Sequence, residues 1–229
     1  MTAENSIWAP DADAQAHREN RINLALLRGV LESLRVNRRM APLLALTVAG
    51  MFAHWVAWPW LATWFALVMT GIGVQLVFIR HFPAGDMDAR TARNWGLGAS
   101  ATNFLSVACW ISLGWFMWVP GNEIDHTLVT IVLAATLAAH CTLAGASRQV
   151  AIPAFILYGV VMALVPLQDG TPASVYLAIV TPFYIWYIAR IANHNYTRAR
   201  ANIVLLEERN SLLAELVMAK IESDRGREK

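Results

Sequence analysis

The sequence predicts an all-α integral membrane protein. Its core is a six-helix transmembrane bundle, preceded by an amphipathic helix and followed by a cytoplasmic coiled-coil helix. Three observations carry this prediction. Of 229 residues, 57% are hydrophobic and only 15% charged, where a soluble domain carries about 25%. Those charges gather at the two ends and in one connection. Six apolar stretches approach the roughly 20 residues that a helix needs to cross a bilayer. The net charge of +2 gives nucleic acid no bulk electrostatic attraction, so no nucleic-acid partner is expected.

The first segment, 1–39, lacks a basic stretch followed by an apolar core, so it does not read as a cleaved signal peptide. It contains RINLALLRGVLESLRVNRR. Leu24, Leu27, Leu31 and Leu34 recur at helical spacing, with Arg28, Glu32, Arg35 and Arg39 on another face. Such a helix is suited to lie on an anionic inner leaflet. A second reading has it packed on the C-terminal helix and regulating it.

The transmembrane region, 40–192, divides into spans at 40–57, 60–79, 97–118, 127–146, 150–167 and 174–191. Pro59, Pro120 and Pro172 punctuate its turns. The arginines set its orientation. Arg18, Arg21, Arg28, Arg35, Arg38 and Arg39 precede the first span, and Arg80, Arg90 and Arg93 separate the second and third. Arg148 stands between the fourth and fifth, and Arg190, Arg198 and Arg200 end the sixth. The other connections hold only Glu123, Asp125 and Asp169 as charges. This alternation predicts both termini in the cytoplasm and leaves little mass outside. A stimulus must then act among the helices or through the lipid.

Apart from Arg190 at the very end of the sixth, no Asp, Glu, Lys or Arg falls within the six spans. That pattern opposes ion- or proton-coupled transport, which uses such groups inside the membrane. A small-molecule transporter or carrier remains the rival of another class, with Gln75, Asn103, Ser106 and Thr181 as the polar side chains it offers. His54 and His140 fall on different spans at different depths, so a shared metal or haem is not expected. Interhelical hydrogen bonding is the plainer role, and no cofactor is predicted. Cys109 and Cys141 lie in apolar runs and read as small buried hydrophobes.

Tryptophans crowd the outer side. Trp55, Trp58, Trp60 and Trp64 flank the first outer turn, and Trp115, Phe116 and Trp118 end the third span. One reading is an interfacial aromatic belt. The other is a pocket for a small hydrophobic or amphipathic ligand, formed by Trp55, Trp58, Trp64, Trp115 and Trp118 with His54 as polar contact. Ala134/Ala138 and Ala135/Ala139 in span four are small pairs that permit close helix approach, which places that span in the interior. Gly71 and Gly73 offer the same to span two.

Span six carries VTPFYIWYIAR. Pro182 removes a backbone donor and predicts a bend, with Tyr184 and Tyr187 following it. Between Pro182 and Gly226 no proline or glycine interrupts the helix, so a change of bend would be passed along it. The last segment, 193–229, is amphipathic. One heptad register uses Ile203, Leu206, Asn210, Leu213, Val217 and Lys220; another uses Asn202, Leu206, Arg209, Leu213, Leu216 and Lys220. Both share Leu206 and Leu213, and both carry polar residues on the seam, which lowers coiled-coil stability. A marginal, parallel, dimeric coil results, better suited to switching than to clamping.

No phosphate loop, nucleophile elbow, HExxH or kinase signature occurs, so no enzymatic activity is expected of this chain itself. The closing stretch LLEERNSLLAELVMAKIESDRGREK resembles the linker joining membrane sensors to the phosphoacceptor helix in bacterial sensor histidine kinases. The resemblance implies a two-component receptor of the bacterial inner membrane, dimeric and surrounded by lipid. It further implies an output kinase domain beyond the chain and a response regulator as its partner. The family's phosphoacceptor box is absent, since His194 is followed by NYTR. Membrane-bound diguanylate and adenylate cyclases have a similar plan and stay as alternatives.

Overall fold

A computed structural model of the protein describes residues 12–37, 40–83, 85, 87–144 and 146–227. Arg38, Arg39 and the last two residues, invoked above, lie outside the described residues. The described residues form α1 (Ala12–Asn37), α2 (Ala41–Phe52), α3 (Trp58–Arg80), α4 (Ala89–Ile111), α5 (Leu113–Phe116), α6 (Glu123–Ala144), α7 (Arg148–Leu164) and α8 (Pro172–Arg227). A 3-10 turn, Pro166–Asp169, follows α7.

Local chemistry explains where these helices start. Pro42, Pro59 and Pro172 stand in the first turns of α2, α3 and α8, where a missing N–H costs nothing. Asp88 caps α4 by accepting the Thr91 N–H at 3.3 Å. Its hydrogen bonds with the Thr91 side chain and backbone hold this exposed carboxyl below the usual carboxylate range.

Five helices are long and apolar enough to cross a membrane: α3, α4 with α5, α6, α7 with its 3-10 turn, and α8. Their outward faces carry Val77, Phe104, Ile131, Ile156 and Phe183, all exposed. So much apolar surface spread around a molecule suits lipid, not water.

The stretch expected as a first span, 40–57, differs. Only Ala41–Phe52 is helical, 12 residues, or about 18 Å at 1.5 Å per residue. That is short of the roughly 30 Å hydrocarbon core. What completes the path through the bundle is α1. Along its middle α1 lies beside the α3–α4 connection, with Arg28 donating to the Gly85 carbonyl and Asn20 to that of Met87. At its far end Leu34 and Asn37 border the same cavity as Ser106, Trp110 and His140. From there the chain runs through α2 to Val56, which borders a groove with Trp115 and Trp118 at the opposite end.

The apolar face of α1 is turned towards protein. Ile22, Leu24, Leu26, Leu27, Val30, Leu31 and Leu34 are all buried. At 100° per residue they cover an arc of about 200°, wide enough to be enclosed by several helices. Arg21, Glu32 and Arg35 keep the remaining flank exposed, and Arg35 pairs with Glu32 at 3.7 Å. Charged side chains therefore reach the level of the cavity, on a segment outside the six predicted spans.

The interior also differs from the prediction. Half of the apolar windows of α4 and α7 are buried, against 28% for α6. Of its alanines, Ala134 and Ala138 pack against the core while Ala135 and Ala139 are exposed. α4 and α7 form the centre, with α6 beside them. Gly71 has the predicted role: a Cβ there would meet Cys109 Cβ at 3.1 Å and Ser106 Cα at 3.2 Å, so only glycine permits this α3–α4 approach. Gly73 faces open space.

Candidate functional site

The polar residues of the interior meet in one place. Asn103, fully buried on α4, accepts from Gln75 Nε2 on α3 at 3.2 Å. Its amide nitrogen donates to His140 Nε2 on α6 and to the Val150 carbonyl on α7, each at 3.3 Å. An accepting Nε2 places the ring proton of His140 on Nδ1. One asparagine thus joins four helices. In a dry interior such hydrogen bonds favour one packing arrangement over others.

Pro153 explains why α7 has carbonyls to spare. It sits inside the helix and lacks the N–H that would bond four residues back, to Gln149. The Gln149 carbonyl accepts instead from Ser100 Oγ at 2.9 Å. The polar face of α4 therefore meets α7 where α7's own ladder is broken.

Next to this cluster lies a cavity of about 210 Å³. Its wall combines apolar residues of α1, α2 and α4 (Leu34, Met40, Leu44, Val107) with Ser106, Trp110, Thr136, His140 and Tyr158. Ser106 Oγ and Trp110 Nε1 are buried without a hydrogen-bond partner. The composition pointed to Ser106 and His140 only separately. They meet at a cavity bordered by α1, α2, α4, α6 and α7, which no motif announced.

The predicted outer pocket assembles in part. Trp55, Trp115 and Trp118 line an open groove of about 400 Å³ with Trp60 and Phe116. Trp58 is 73% exposed and points elsewhere. Trp64 is fully buried; its Nε1 donates to the Trp110 carbonyl at 3.4 Å, and the two indoles meet edge to face. His54 is exposed and touches Trp55 edge-on, 5.7 Å between centroids. The groove is lined by four tryptophans, three of them predicted, and His54 is not among its lining residues.

Beside it the connections form a clasp. His126 stacks on Trp118 at 3.9 Å. Its Nδ1 lies 2.9 Å from Asp169 Oδ2, and its Nε2 lies 2.8 Å from the Val119 carbonyl. A ring protonated on both nitrogens satisfies both acceptors; a neutral ring satisfies one. Asp125, fully buried, accepts the Val119 N–H at 2.8 Å.

The predicted transmission residues follow α8. Pro182 lies within it and is flanked by two ties. Thr181 Oγ1 donates to Met162 of α7 at 3.3 Å, and Tyr184 OH donates to Ala134 of α6 at 2.9 Å. Tyr187 is exposed. Near the end of the bundle Arg148 bonds Asn193 and stacks over the Tyr196 ring at 4.5 Å. Beyond it α1 grips α8: Glu19 pairs with Arg200, Arg18 with Glu207 at 3.6 Å and Glu208 at 3.9 Å, and Arg21 with Glu207 at 3.9 Å. Leu206, Asn210, Leu213 and Val217 are exposed along the remainder.

No protein family, curated protein or solved structure matches the chain.

Proposed function

We propose that the chain is the membrane sensor and transmission region of a dimeric bacterial receptor. A sensor histidine kinase is the output that best suits its closing helix. One observation carries this reading: α8 runs without interruption for 56 residues, from within the bundle to Arg227. Beyond Glu208, its last ion pair with α1 among the described residues, it exposes Leu212, Leu213, Leu216, Val217 and Ile221, and Leu206 is exposed beside those pairs. A helix of this kind buries its apolar stripe against a second copy as a coiled coil.

In this reading the end carrying Arg80, Arg93 and Arg148 faces the cytoplasm. The far half of α1 and α2 together make the first crossing, followed by α3, α4, α6, α7 and α8. Both termini and the α1–α8 ion pairs are then cytoplasmic. A stimulus alters packing around the cavity, α1 shifts with its wall, and the ion pairs carry that shift to α8. Pro182, held by Thr181 and Tyr184, gives α8 a second point at which to respond. A stimulus biases such a switch only through unequal affinity for the two states.

The two heptad registers acquire distinct meanings. Arg200, Ile203 and Glu207 share the flank of α8 that faces α1, and all three are half-buried. With α1 docked, the register that begins at Ile203 has its first seam position covered. The register through Asn202, Arg209 and Leu216 stays free. Docking of α1 thus favours the second register.

Cysteine crosslinking in native membranes tests the dimer. Leu213→Cys, shared by both registers, should give a crosslinked dimer in high yield. Cys109 and Cys141 are buried and should contribute none. Absence of crosslinks at Leu213→Cys and Leu206→Cys alike would sink the parallel coil.

A further inference from the structure

We propose that the cavity between α1, α4, α7 and α8, at the end of the bundle that carries Arg93 and Arg148, binds a phosphate group, on a lipid head group or free in solution. The binding claim does not rest on the sensor reading above.

The space measures about 330 Å³, and Asn20, Asn23, Arg93, Arg148, Gln149 and Tyr196 are among its lining residues. Two observations bring the cations to it. Ala89, Ala92 and Arg93 all border the cavity and, at spacings of three and four residues, share one face of α4. Arg148 stacks over the ring of Tyr196, itself a wall residue, at 4.5 Å, which sets its guanidinium at the cavity's edge. The fork carries five N–H donors, and Asn193 Oδ1 takes one. Gln149 completes the corner between α4 and α7. A Cβ at Gly96 would meet its Oε1 at 2.6 Å, and Gly96 lies three residues on from Arg93, on the same side of α4.

The carboxylates nearby are turned to other partners. Asp88 accepts from the Thr91 N–H, and Glu19 pairs with Arg200. Among the described residues no Asp or Glu lines the space, and no carboxylate pairs with Arg93 or Arg148. Two like charges beside one cavity repel, and an anion within it offsets that repulsion. Guanidinium forks match phosphate oxygens two by two. A carboxylate offers two oxygens and one charge, enough for one fork, whereas a phosphate monoester offers three oxygens and up to two charges. α7 also opens here, with a Ser147 side chain that makes no cap hydrogen bond, and the positive end of its dipole adds to the attraction for an anion.

An apolar protein cavity of about 150 Å³ holds benzene. By proportion this one holds roughly a dozen non-hydrogen atoms, room for a phosphate with a substituent such as glycerol. A phosphate bonded to Arg93 and Arg148 would join α4 to α7 and, through Asn193 and Tyr196, to α8.

The test uses the full chain in phosphate-free buffer at physiological salt, which screens diffuse surface charge. Two probes separate the sources. Phosphatidic acid is offered in nanodiscs of phosphatidylcholine, and its retention is read by native mass spectrometry. Inorganic phosphate is offered in dodecyl maltoside, and its binding is read by phosphorus NMR and by the rise in denaturation temperature. Saturable binding of either supports the proposal; the lipid alone makes the source the bilayer, and inorganic phosphate makes it the solution. Arg93→Gln with Arg148→Gln should weaken binding by about tenfold or more, through loss of charge-assisted hydrogen bonds. Arg148→Gln also releases Asn193, so if the pair folds poorly Arg93→Gln decides alone, with a loss of about tenfold. Arg80→Gln with Arg90→Gln removes the same charge from residues that do not line the cavity, and should leave binding at the wild-type level. The proposal is overturned if neither probe binds, if Arg93→Gln binds as well as the wild type, or if the Arg80 and Arg90 pair weakens binding equally.

Discussion

At the scale of single residues, burial separates tryptophans that look alike in sequence. Trp58 and Trp64 flank the same turn, yet one is 73% exposed and the other fully buried. Trp64→Ala should cost about 3–5 kcal/mol, the range for emptying a core aromatic site. Trp58→Ala should stay within about 0.5 kcal/mol. Reversible unfolding in detergent measures both. The sequence could place these rings near one end of the bundle, but periodicity in an apolar helix does not say which face is lipid and which is protein, since both are hydrophobic. The same ambiguity hid Asn103. Its polarity at mid-span was legible, but the four-helix junction it makes was not. Asn103→Ala should destabilise by about 1–3 kcal/mol, the cost of stranding its buried partners. Ser100 offers a sharper test. If its hydroxyl serves the carbonyl freed by Pro153, Ser100→Ala should cost about 1 kcal/mol in the wild type and markedly less with Pro153→Ala, which restores the helix's own donor. Equal costs in both backgrounds would separate the two residues.

At the scale of elements, the informative surprise is α1. Its leucine spacing predicted an amphipathic helix, and such a helix is present. Its partner was not legible, because a basic amphipathic helix looks the same whether its apolar face meets lipid or protein. The width of the apolar arc was the usable signal. Ile22 and Leu26 widen it beyond the four leucines that define the repeat, and a broad arc calls for several neighbours. The short α2 follows from the same cause: because α1 already carries the chain into the bundle, 12 helical residues suffice to finish the path. The alternative of α1 packed on the C-terminal helix matches the Glu19–Arg200 and Arg18–Glu207 pairs. Exposed ion pairs of this kind contribute little to stability, so Glu207→Arg should shift the unfolding midpoint hardly at all. Its effect belongs to coupling. Freed from α1, Ile203 becomes available to the seam, and crosslinking should shift from Leu216→Cys towards Val217→Cys.

At the scale of the whole molecule, charge distribution and hydropathy made the membrane architecture legible, since the bilayer limits a chain to few solutions. Five of the predicted spans correspond to helices long and apolar enough to cross; the stretch predicted as the first holds only the 12-residue α2. The outer tryptophans were visible as a cluster, whereas the interior cavity gathers residues far apart in sequence, such as Leu34 and His140, around one space. The central claim is that α1 links this cavity to α8. The most direct measurement is autophosphorylation in membranes of a chimera in which a histidine kinase output is joined in helical phase after Arg227. Glu207→Arg should change activity several-fold, and adding Arg18→Glu with Arg21→Glu should restore the original level by rebuilding the pairs with reversed charge. Activity that is the same in all three proteins, or a change in the single variant that the reversed pairs do not correct, would contradict the coupling of α1 to α8.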